Sequence, residues 1–246
     1  MSMTTPNNFE PFAHVDTWVF DLDNTLYSPE CALFVQIDKR MNAFLREMFE
    51  VGHEEAHRIQ KHYYHKYGTT LSGLMKEHNL APEGFLEYVH DIDLSSVPEA
   101  PALGQAIERL PGRKFVFTNG SRKHAERVAA KLGVLQHFDD LFDIVASDYT
   151  PKPAPVAYAR FLKAHGVEAK SAAMFEDLPH NLENPHALGM TTVLVRSVFG
   201  EHPSQQAFNA MKAKPQHIHH VTDDLAVFLE DVLSVTTPTP LTRQGR

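Results

Sequence analysis

The sequence predicts an α/β fold in which a parallel sheet, covered by helices on both faces, is interrupted by an all-helical insertion. Three observations support this prediction. A short apolar run at residues 18–20 ends in turn-forming residues, which indicates a buried strand leading into a loop. Residues 29–98 show helical periodicity and no convincing strand. From residue 101 onward, helical segments alternate with short apolar runs, as they do in parallel sheets with helical crossovers.

The length and composition are ordinary for a soluble globular protein. The 246 residues, 43% of them hydrophobic and 22% charged, can form one large domain or two modest ones. No apolar run reaches the roughly 20 residues that span a bilayer, and residues 1–14 lack the basic and apolar segments of a secretory signal. The single cysteine, Cys31, excludes an intramolecular disulfide and favours a reducing compartment, so we expect a cytoplasmic protein.

The net charge argues against two classes of partner. A formal net charge of −8 disfavours a nucleic-acid or membrane-surface binder, because such proteins usually carry a basic excess or a basic stripe. The cations are scattered; Arg122, Lys123 and Arg127, for example, are interpreted as a solvated helix face. Composition predicts no oligomeric state.

The predicted elements of residues 29–98 are all helices. Apolar residues recur at helical spacing between Phe34 and Met48, and further helical stretches are predicted at 56–67, 71–78 and 82–89. We therefore expect residues 29–98 to form a helical unit inserted into a core made of residues 15–28 and 99–233.

The rest of the chain alternates between the two kinds of element. Beyond the first strand, strands are predicted at 114–117, 143–146, 172–175, 192–195 and 218–221, and helices at 103–110, 122–132, 153–165, 182–188 and 223–233. Ser121 can cap the helix that follows it, and Gly133 can end that helix. Residues 234–246 are rich in Thr and Pro, so we expect a disordered tail.

Polar residues follow the apolar runs at four places in the predicted core. These places are Asp21/Asp23, Thr118/Asn119, Ser147/Asp148 and Glu176/Asp177. Because functional groups gather at the carboxyl ends of parallel strands, we expect all four to converge on one edge of the sheet, together with Lys152. A single acidic pair can simply cap a helix, whereas four coordinated strand ends favour a common site.

The acidic residues predict a magnesium site. Asp21 and Asp23 are separated by one residue, so both side chains point the same way at the end of their strand. Close carboxylates repel each other and need a cation, and Glu176 and Asp177 add negative charge at the same edge. Oxygen ligands favour Mg²⁺, which keeps several waters and recruits a substrate phosphate.

Three further residues supply complementary groups. The hydroxyl of Thr118, the amide of Asn119 and the ammonium of Lys152 suit the oxygens of a transferring phosphoryl group. Lys152 also offsets part of the carboxylate charge, although a lone lysine before a proline is usually a surface residue.

These residues fall into four motifs that resemble, in order, those of the haloacid dehalogenase-like hydrolase superfamily. The motifs are DLDNTLY at residues 21–27, TNG at 118–120, KP at 152–153, and FED at 175–177 with Asn181. The first is highly specific, and the resemblance spans about residues 15–195. It implies a Rossmann-like parallel-sheet core with an all-helical cap inserted after the first motif, in agreement with the elements predicted above.

The resemblance also implies the chemistry. Asp21 would attack phosphorus and form an aspartyl-phosphate, and Asp23 would protonate the leaving oxygen and later activate a water. Haloacid dehalogenases proper lack an aspartate at the position of Asp23, so the resemblance favours phosphate chemistry over carbon–halogen cleavage.

A ligand set follows from the same resemblance. Mg²⁺ would be held by Asp21, by the backbone carbonyl of Asp23 and by Asp177, with Glu176 acting through a metal-bound water. The phosphoryl oxygens would be held by Thr118, Asn119 and Lys152.

Residues 26–27 and 63–74 and Asn181 resemble the pyrimidine 5′-nucleotidase branch, which implies a small-molecule substrate such as UMP or CMP. Tyr64, His65 and Tyr67 could stack on or hydrogen-bond a base, although the tyrosines could equally pack the core of the cap.

Two other hypotheses stay open. The same scaffold could serve a phosphatase or phosphomutase acting on a sugar phosphate or on a small ester such as phosphoglycolate. A non-enzymatic phosphate-binding protein would be favoured by loss of Asp21 or Asp23, and both are present.

Overall fold

The computed structural model describes residues 9–197, 203–211 and 213–236. Its strands are β1 (Thr17–Phe20), β2 (Arg113–Phe117), β3 (Asp140–Phe142), β4 (Ala172–Glu176), β5 (Thr191–Val195) and β6 (His220–Thr222). They form one sheet in the order β3-β2-β1-β4-β5-β6, and every neighbouring pair is parallel. The predicted parallel sheet is therefore confirmed.

Ten helices accompany the sheet in the described part of the chain. They are α1 (Leu33–Phe49), α2 (His53–Tyr67), α3 (Thr70–His78), α4 (Pro82–Val89), α5 (Pro101–Arg109), α6 (Arg122–Leu132), α7 (Pro155–His165), α8 (Glu183–Ala187), α9 (Pro203–Asn209) and α10 (Leu225–Thr236). The first four follow β1 without an intervening strand and pack on one another. Among the described residues, no helix combines the length and the apolar character needed to cross a membrane.

The sheet is buried on both faces because helices cover both. Successive β1 side chains alternate between two apolar clusters: Trp18 and Phe20 pack with α5, α6 and α10, and Val19 packs with α7. All four residues of β1 are buried, as expected for a central parallel strand. This burial fixes the direction of the strand and hence the place where its carboxyl end emerges.

The N-terminal segment contributes to the core, which its composition did not reveal. Residues Glu10–Phe12 form a short 3-10 turn in which Phe12 is fully buried. The Phe12 ring stacks on Trp18 at 6.0 Å between centroids and meets Phe228 edge-on at 5.7 Å. Residues 1–8, the rest of the predicted N-terminal segment, lie outside the described residues.

The third strand was predicted in the wrong place. Instead of residues 143–146, β3 covers Asp140–Phe142, and a series of turns follows it. Asp143 is the physical reason. One of its carboxylate oxygens accepts from Ala146 N at 2.9 Å and the other from Arg122 N at 2.8 Å, so it stabilises a turn and caps α6 instead of continuing the strand.

The C-terminal boundaries also differ from the prediction. Helix α10 continues to Thr236, so residues 234–236 are helical and not part of a disordered tail. The helix is anchored there by Val232 and Leu233, which are buried. Residues 237–246 of the predicted tail lie outside the described residues. Helix α9 was not predicted.

Candidate active site

Three carboxylates meet where β1 and β4 end. Asp21 directly follows β1, Glu176 is the last residue of β4, and Asp177 comes next. The strands pair in parallel with Phe20 opposite Phe175, so their ends coincide. One oxygen from each of the three carboxylates lies within 4.8 Å of the others, and all three residues are buried. The sheet thus concentrates negative charge at one edge.

Lys152 is the buried counter-charge of this cluster. Its Nζ donates to Asp21 Oδ1 at 2.7 Å, to Glu176 Oε2 at 2.7 Å and to the Phe117 carbonyl at 2.8 Å, which uses all three of its protons. Burial alone would lower the pKa of this ammonium, but the charges of Asp21 and Glu176 outweigh burial and raise it. Lys152 is therefore a charged interior residue and not the surface lysine that its sequence context allowed.

One ammonium does not balance three carboxylates. Burial and then the nearby Glu176 carboxylate raise the pKa of Asp21 to about 7, against the opposing effect of Lys152. Burial, followed by Glu176 and Asp21, holds the pKa of Asp177 well above its usual range. Compact, buried, oxygen-only donors with excess negative charge are the donor set that a hard divalent cation requires. The residues present therefore fit such an ion.

The loop after β1 folds back on its own aspartates. Leu26 N donates to Leu22 O at 3.0 Å, and Asn24 adopts a left-handed conformation that asparagine tolerates better than most residues. This turn brings the Thr25 hydroxyl to Asp21 Oδ2 at 3.1 Å. The nucleophile candidate is thus held through both carboxylate oxygens.

Asp23 has a different environment from Asp21. Its Oδ1 accepts from Tyr27 Oη at 2.6 Å and lies 2.9 Å from Nε2 of His124. Burial acts to raise the pKa of Asp23, but the charge and hydrogen bond of His124 and the bond from Tyr27 lower it to about 2. Asp23 was expected to bind the metal through its backbone carbonyl. Its carboxylate is hydrogen-bonded to Tyr27 and His124.

The sequence did not single out His124. It lies in the first turn of α6, after the TNG motif, in a helix with buried Ala125 and Val128. Its side chain is only 1% exposed and stacks on His90 at 4.5 Å between ring centroids. A polar residue next to an apolar helical face, one turn beyond a strand-end motif, is the signal that could have identified it.

Asn119 supports Lys152 directly. Its Nδ2 donates to the Lys152 carbonyl at 3.1 Å, and its Oδ1 accepts from Lys152 N at 2.8 Å. Thr118 is buried, and its Oγ1 accepts from Gly120 N at 2.9 Å. Thr118 and Asn119, which were expected to hold phosphoryl oxygens together with Lys152, therefore shape the loop after β2 and tie it to the backbone of Lys152.

Ser147 and Asp148, predicted at the same edge, pair with residues outside the acidic cluster. Ser147 Oγ donates to the Thr150 carbonyl at 2.6 Å, and the exposed Asp148 pairs with Arg160 at 2.8 Å. The early end of β3 is the reason, because these residues belong to the turns that follow the strand. Conversely, the buried Gln205 of the unpredicted α9 donates to the Asp177 carbonyl at 2.6 Å and anchors that loop.

The helical insertion contacts the core next to Lys152. Ser72 Oγ donates to the Tyr149 carbonyl at 3.5 Å. Gly68 ends α2 with a φ of 83°, and a Cβ added there would lie 3.2 Å from Pro151. These contacts place the C-terminal turns of α2 beside the loop that carries Lys152.

Tyr64, one of the three aromatic candidates in α2, lies within electrostatic reach of the carboxylates. Tyr64 is half-buried, and burial raises its pKa together with the charges of Asp177 and Glu176. His65 is exposed and meets the Tyr64 ring edge-on at 5.6 Å. Tyr67 donates to Glu77 within the insertion. The structure thus brings Tyr64 towards the acidic cluster and holds Tyr67 on α3.

Comparison with solved structures supports the fold. An HAD phosphatase from Thermococcus onnurineus has a TM-score of 0.59 at 16% identity, covering 89% of this chain and 98% of that one. L-2-haloacid dehalogenase from Xanthobacter autotrophicus has a TM-score of 0.53 at 17% identity with the same coverage. The putative HAD-hydrolase YfnB from Bacillus subtilis, bound to magnesium, has a TM-score of 0.54 at 13% identity, covering 91% and 99%. At these identities the likeness is one of fold.

Sequence comparison identifies the family. The chain is 24% identical over 222 aligned residues to phosphate metabolism protein 8 of Saccharomyces cerevisiae, covering 78% of this chain and 68% of the yeast protein. The model of the haloacid dehalogenase-like hydrolases matches residues 15–183, a span that contains the acidic cluster, Lys152 and the loop after β1. Because this match covers more than half of the chain, the protein belongs to the haloacid dehalogenase-like hydrolase family.

Proposed function

We propose that this protein is a magnesium-dependent phosphomonoesterase that acts through an aspartyl-phosphate on Asp21 and prefers pyrimidine 5′-nucleotides such as UMP and CMP. The observation that carries the chemistry is the carboxylate of Asp23, two residues from Asp21 and held by Tyr27 and His124. An ester oxygen needs a proton when it leaves, whereas a halide does not. An acid–base group at this position therefore favours a phosphatase over a dehalogenase.

Asp21 is suited to attack phosphorus. Its two oxygens are oriented by Lys152 and Thr25, and Lys152 opposes the rise in the pKa of Asp21 that burial causes. Attack by Asp21 forms a bond to phosphorus while the ester bond breaks, and Asp23 gives a proton to the departing oxygen. Asp23 then takes a proton from the water that hydrolyses the aspartyl-phosphate, which releases phosphate, frees the Asp21 carboxylate and returns Asp23 to the protonated form from which it started.

Magnesium is the cofactor that the donor set favours. Asp21 and Asp177, with Glu176 beside them, are the residues that would hold it. When bound, Mg²⁺ offsets the negative charge that accumulates when a phosphate approaches these carboxylates. The fold of magnesium-bound YfnB is consistent with this choice of ion.

We expect Mg²⁺ to raise the melting temperature of the protein and to bind more tightly at pH 8 than at pH 6. Because the pKa of Asp21 is raised to about 7, protons compete with Mg²⁺ for this carboxylate below that pH. Each unit by which the pH falls below about 7 should weaken Mg²⁺ binding by up to about tenfold. Saturation at about 100 times Kd should add about 2.7 kcal/mol to the free energy of unfolding. Thermal melts over a Mg²⁺ series at both pH values measure this effect.

The control for this experiment separates the buried cluster from surface acids. Asp177→Asn should weaken Mg²⁺ binding strongly, whereas Asp148→Asn, which changes an exposed carboxylate paired with Arg160, should leave it unchanged. A melting temperature that does not respond to Mg²⁺ at either pH would contradict the metal assignment.

The choice of nucleotide rests on the position of Tyr64. We propose that residues 29–98 act as a cap over the carboxylates and that a base lies against the Tyr64 ring. Two observations support this: α2 is held beside the Lys152 loop, and the charges of Asp177 and Glu176 raise the pKa of Tyr64. An aromatic face suits a flat base, and such stacking contributes about 1–3 kcal/mol per base.

Phosphate release from a panel of esters with Mg²⁺ tests the substrate. We expect UMP and CMP to be preferred over sugar phosphates and phosphoglycolate. Tyr64→Ala should raise KM for UMP by about tenfold, the lower part of the range for a lost stacking contact, and should change hydrolysis of p-nitrophenyl phosphate little. His65→Ala, at the exposed neighbouring position, is the matched control. Preferential release from sugar phosphates would overturn the nucleotide assignment and leave the chemistry intact.

A further inference from the structure

We infer that Tyr27 and His124 are positioning residues, which fix Asp23 through its Oδ1 and leave Oδ2 as the oxygen that exchanges protons with the substrate and the attacking water. This inference rests on the proposed phosphomonoesterase function. It assigns a task to two residues outside the reacting pair of aspartates and distinguishes the two oxygens of one carboxylate.

The two hydrogen bonds fall on the same oxygen. Tyr27 Oη donates to Oδ1 of Asp23 at 2.6 Å, and His124 Nε2 lies 2.9 Å from the same atom. Among the described residues, the structure records no hydrogen bond to Oδ2. A Cβ added to Gly120 would lie 3.7 Å from Oδ2, so the absence of a side chain at this glycine keeps space open beside that oxygen. The carboxylate is therefore anchored at one oxygen and open at the other.

The two donors come from different parts of the fold. Tyr27 belongs to the loop that follows β1, whereas His124 is 101 residues away from Asp23 in the first turn of α6. Donors on two separate elements restrict rotation of the carboxylate more than two donors on one flexible loop could. Efficient proton transfer depends on such a fixed geometry.

The surroundings of His124 indicate that its role is to form the hydrogen bond to Asp23. The ring is buried and stacked on His90 with an interplanar angle of 16°, and His90 Nδ1 is 3.0 Å from Ser121 Oγ. Nδ1 of His124 has no hydrogen-bond partner in the described part of the chain. A carboxylate only accepts, so Nε2 carries the hydrogen of the bond to Asp23. A buried nitrogen without a hydrogen-bond partner, such as Nδ1 of His124, lowers the stability of the fold, and an apolar side chain at this position would avoid that cost. The bond from Nε2 to Asp23 therefore explains the histidine better than stability does.

Two esters with different leaving groups separate positioning of the acid from general support of the fold. Benzyl alkoxide must be protonated as it leaves, whereas p-nitrophenolate leaves without a proton. In single-turnover reactions with Mg²⁺, we expect Tyr27→Phe and His124→Leu to slow cleavage of benzyl phosphate by about 10- to 100-fold, part of the 10²–10⁴ that a general acid supplies. Release of p-nitrophenolate should slow less than about threefold, with KM unchanged for both esters.

Two further variants make the test specific. His124→Gln places an amide N–H near the position of Nε2 and should recover most of the rate with benzyl phosphate. Tyr149→Phe removes a hydroxyl that contacts Glu83, on the exposed surface, and should alter neither rate. Equal losses with both esters, or no loss with either, would overturn the inference. A wild-type protein that releases phosphate neither from these two esters nor from UMP would refute the proposed function itself.

Discussion

Replacing Asp21 with asparagine should abolish turnover, with kcat lower by about 10⁴-fold or more, as expected when an enzyme loses its covalent nucleophile. The amide has nearly the shape of the carboxylate, and its oxygen can still accept the hydrogen bond from Lys152, so the loop should keep its conformation. An amide oxygen cannot form the acyl-phosphate bond. Phosphate release with Mg²⁺, together with mass spectrometry of acid-quenched enzyme for the aspartyl-phosphate, measures both consequences.

The same variant should be at least as stable as the wild type, which separates loss of chemistry from loss of fold. The pKa of Asp21 is raised to about 7 in the folded protein, mainly by burial and then by Glu176, from an ordinary value of 3.8. The folded state therefore binds this proton more tightly than the unfolded state, and wild-type stability falls as the pH rises from about 4 to about 7. Asparagine does not ionise, so the Asp21→Asn variant should not lose stability in this way. The melting temperature of the variant, relative to that of the wild type at the same pH, should therefore be higher at pH 8 than at pH 5.

Asp148→Asn provides the matched control for Asp21→Asn because it makes the same chemical change at an exposed carboxylate. Its turnover should equal that of the wild type. Phosphate release that persists in Asp21→Asn, with a phosphoryl adduct on another residue, would show that Asp21 is not the nucleophile.

The sequence predicted the sheet well where local pattern and tertiary role agree. The short apolar runs before Asp21 and Glu176 are strands buried on both faces, and for such strands hydrophobicity alone is informative. The prediction was wrong at β3, where Asp143 diverts the chain into a turn that caps α6. Ile144 is buried in that turn, so its apolar character resembled that of a strand residue. The competing side-chain hydrogen bonds leave no clear periodic trace in the sequence.

The residues of the candidate site also fall into those that the sequence pattern predicted and those that it did not. Residues at strand ends were predictable, because parallel strands place their carboxyl ends together. His124 and Gln205 were not, since each acts on a residue far away along the chain, and a polar residue on an amphipathic helix normally marks a solvated face. Lys152 was predicted from its place after the expected strand at 143–146, which the structure does not form. Its burial and its three hydrogen bonds emerge only from the packing of four separate segments.

Replacing Lys152 with methionine should have the largest effect on stability. The ammonium is 1% exposed and bridges Asp21 and Glu176 at 2.7 Å each, so its removal leaves buried carboxylates without their cation. Breaking a buried ion pair from one side costs about 3–5 kcal/mol, because the remaining charge is not compensated. Urea unfolding at pH 8 without Mg²⁺ measures this loss. Lys163→Met, which replaces an exposed lysine of α7, is the matched control and should stay within about 0.5 kcal/mol of the wild type.

The pH dependence of the Lys152→Met variant tests whether charge is the cause. Lys152 lowers the pKa of Asp21, so its loss should raise that pKa beyond about 7 and extend the range in which the carboxylate is protonated in the folded state. Protonation removes the uncompensated charge, so the deficit in stability should shrink as the pH falls from 8 to 5.5. Mg²⁺ should restore part of the stability at pH 8, because it supplies positive charge to the same oxygens. A deficit that is the same at both pH values and insensitive to Mg²⁺ would mean that Lys152 stabilises the core by packing and not by its charge.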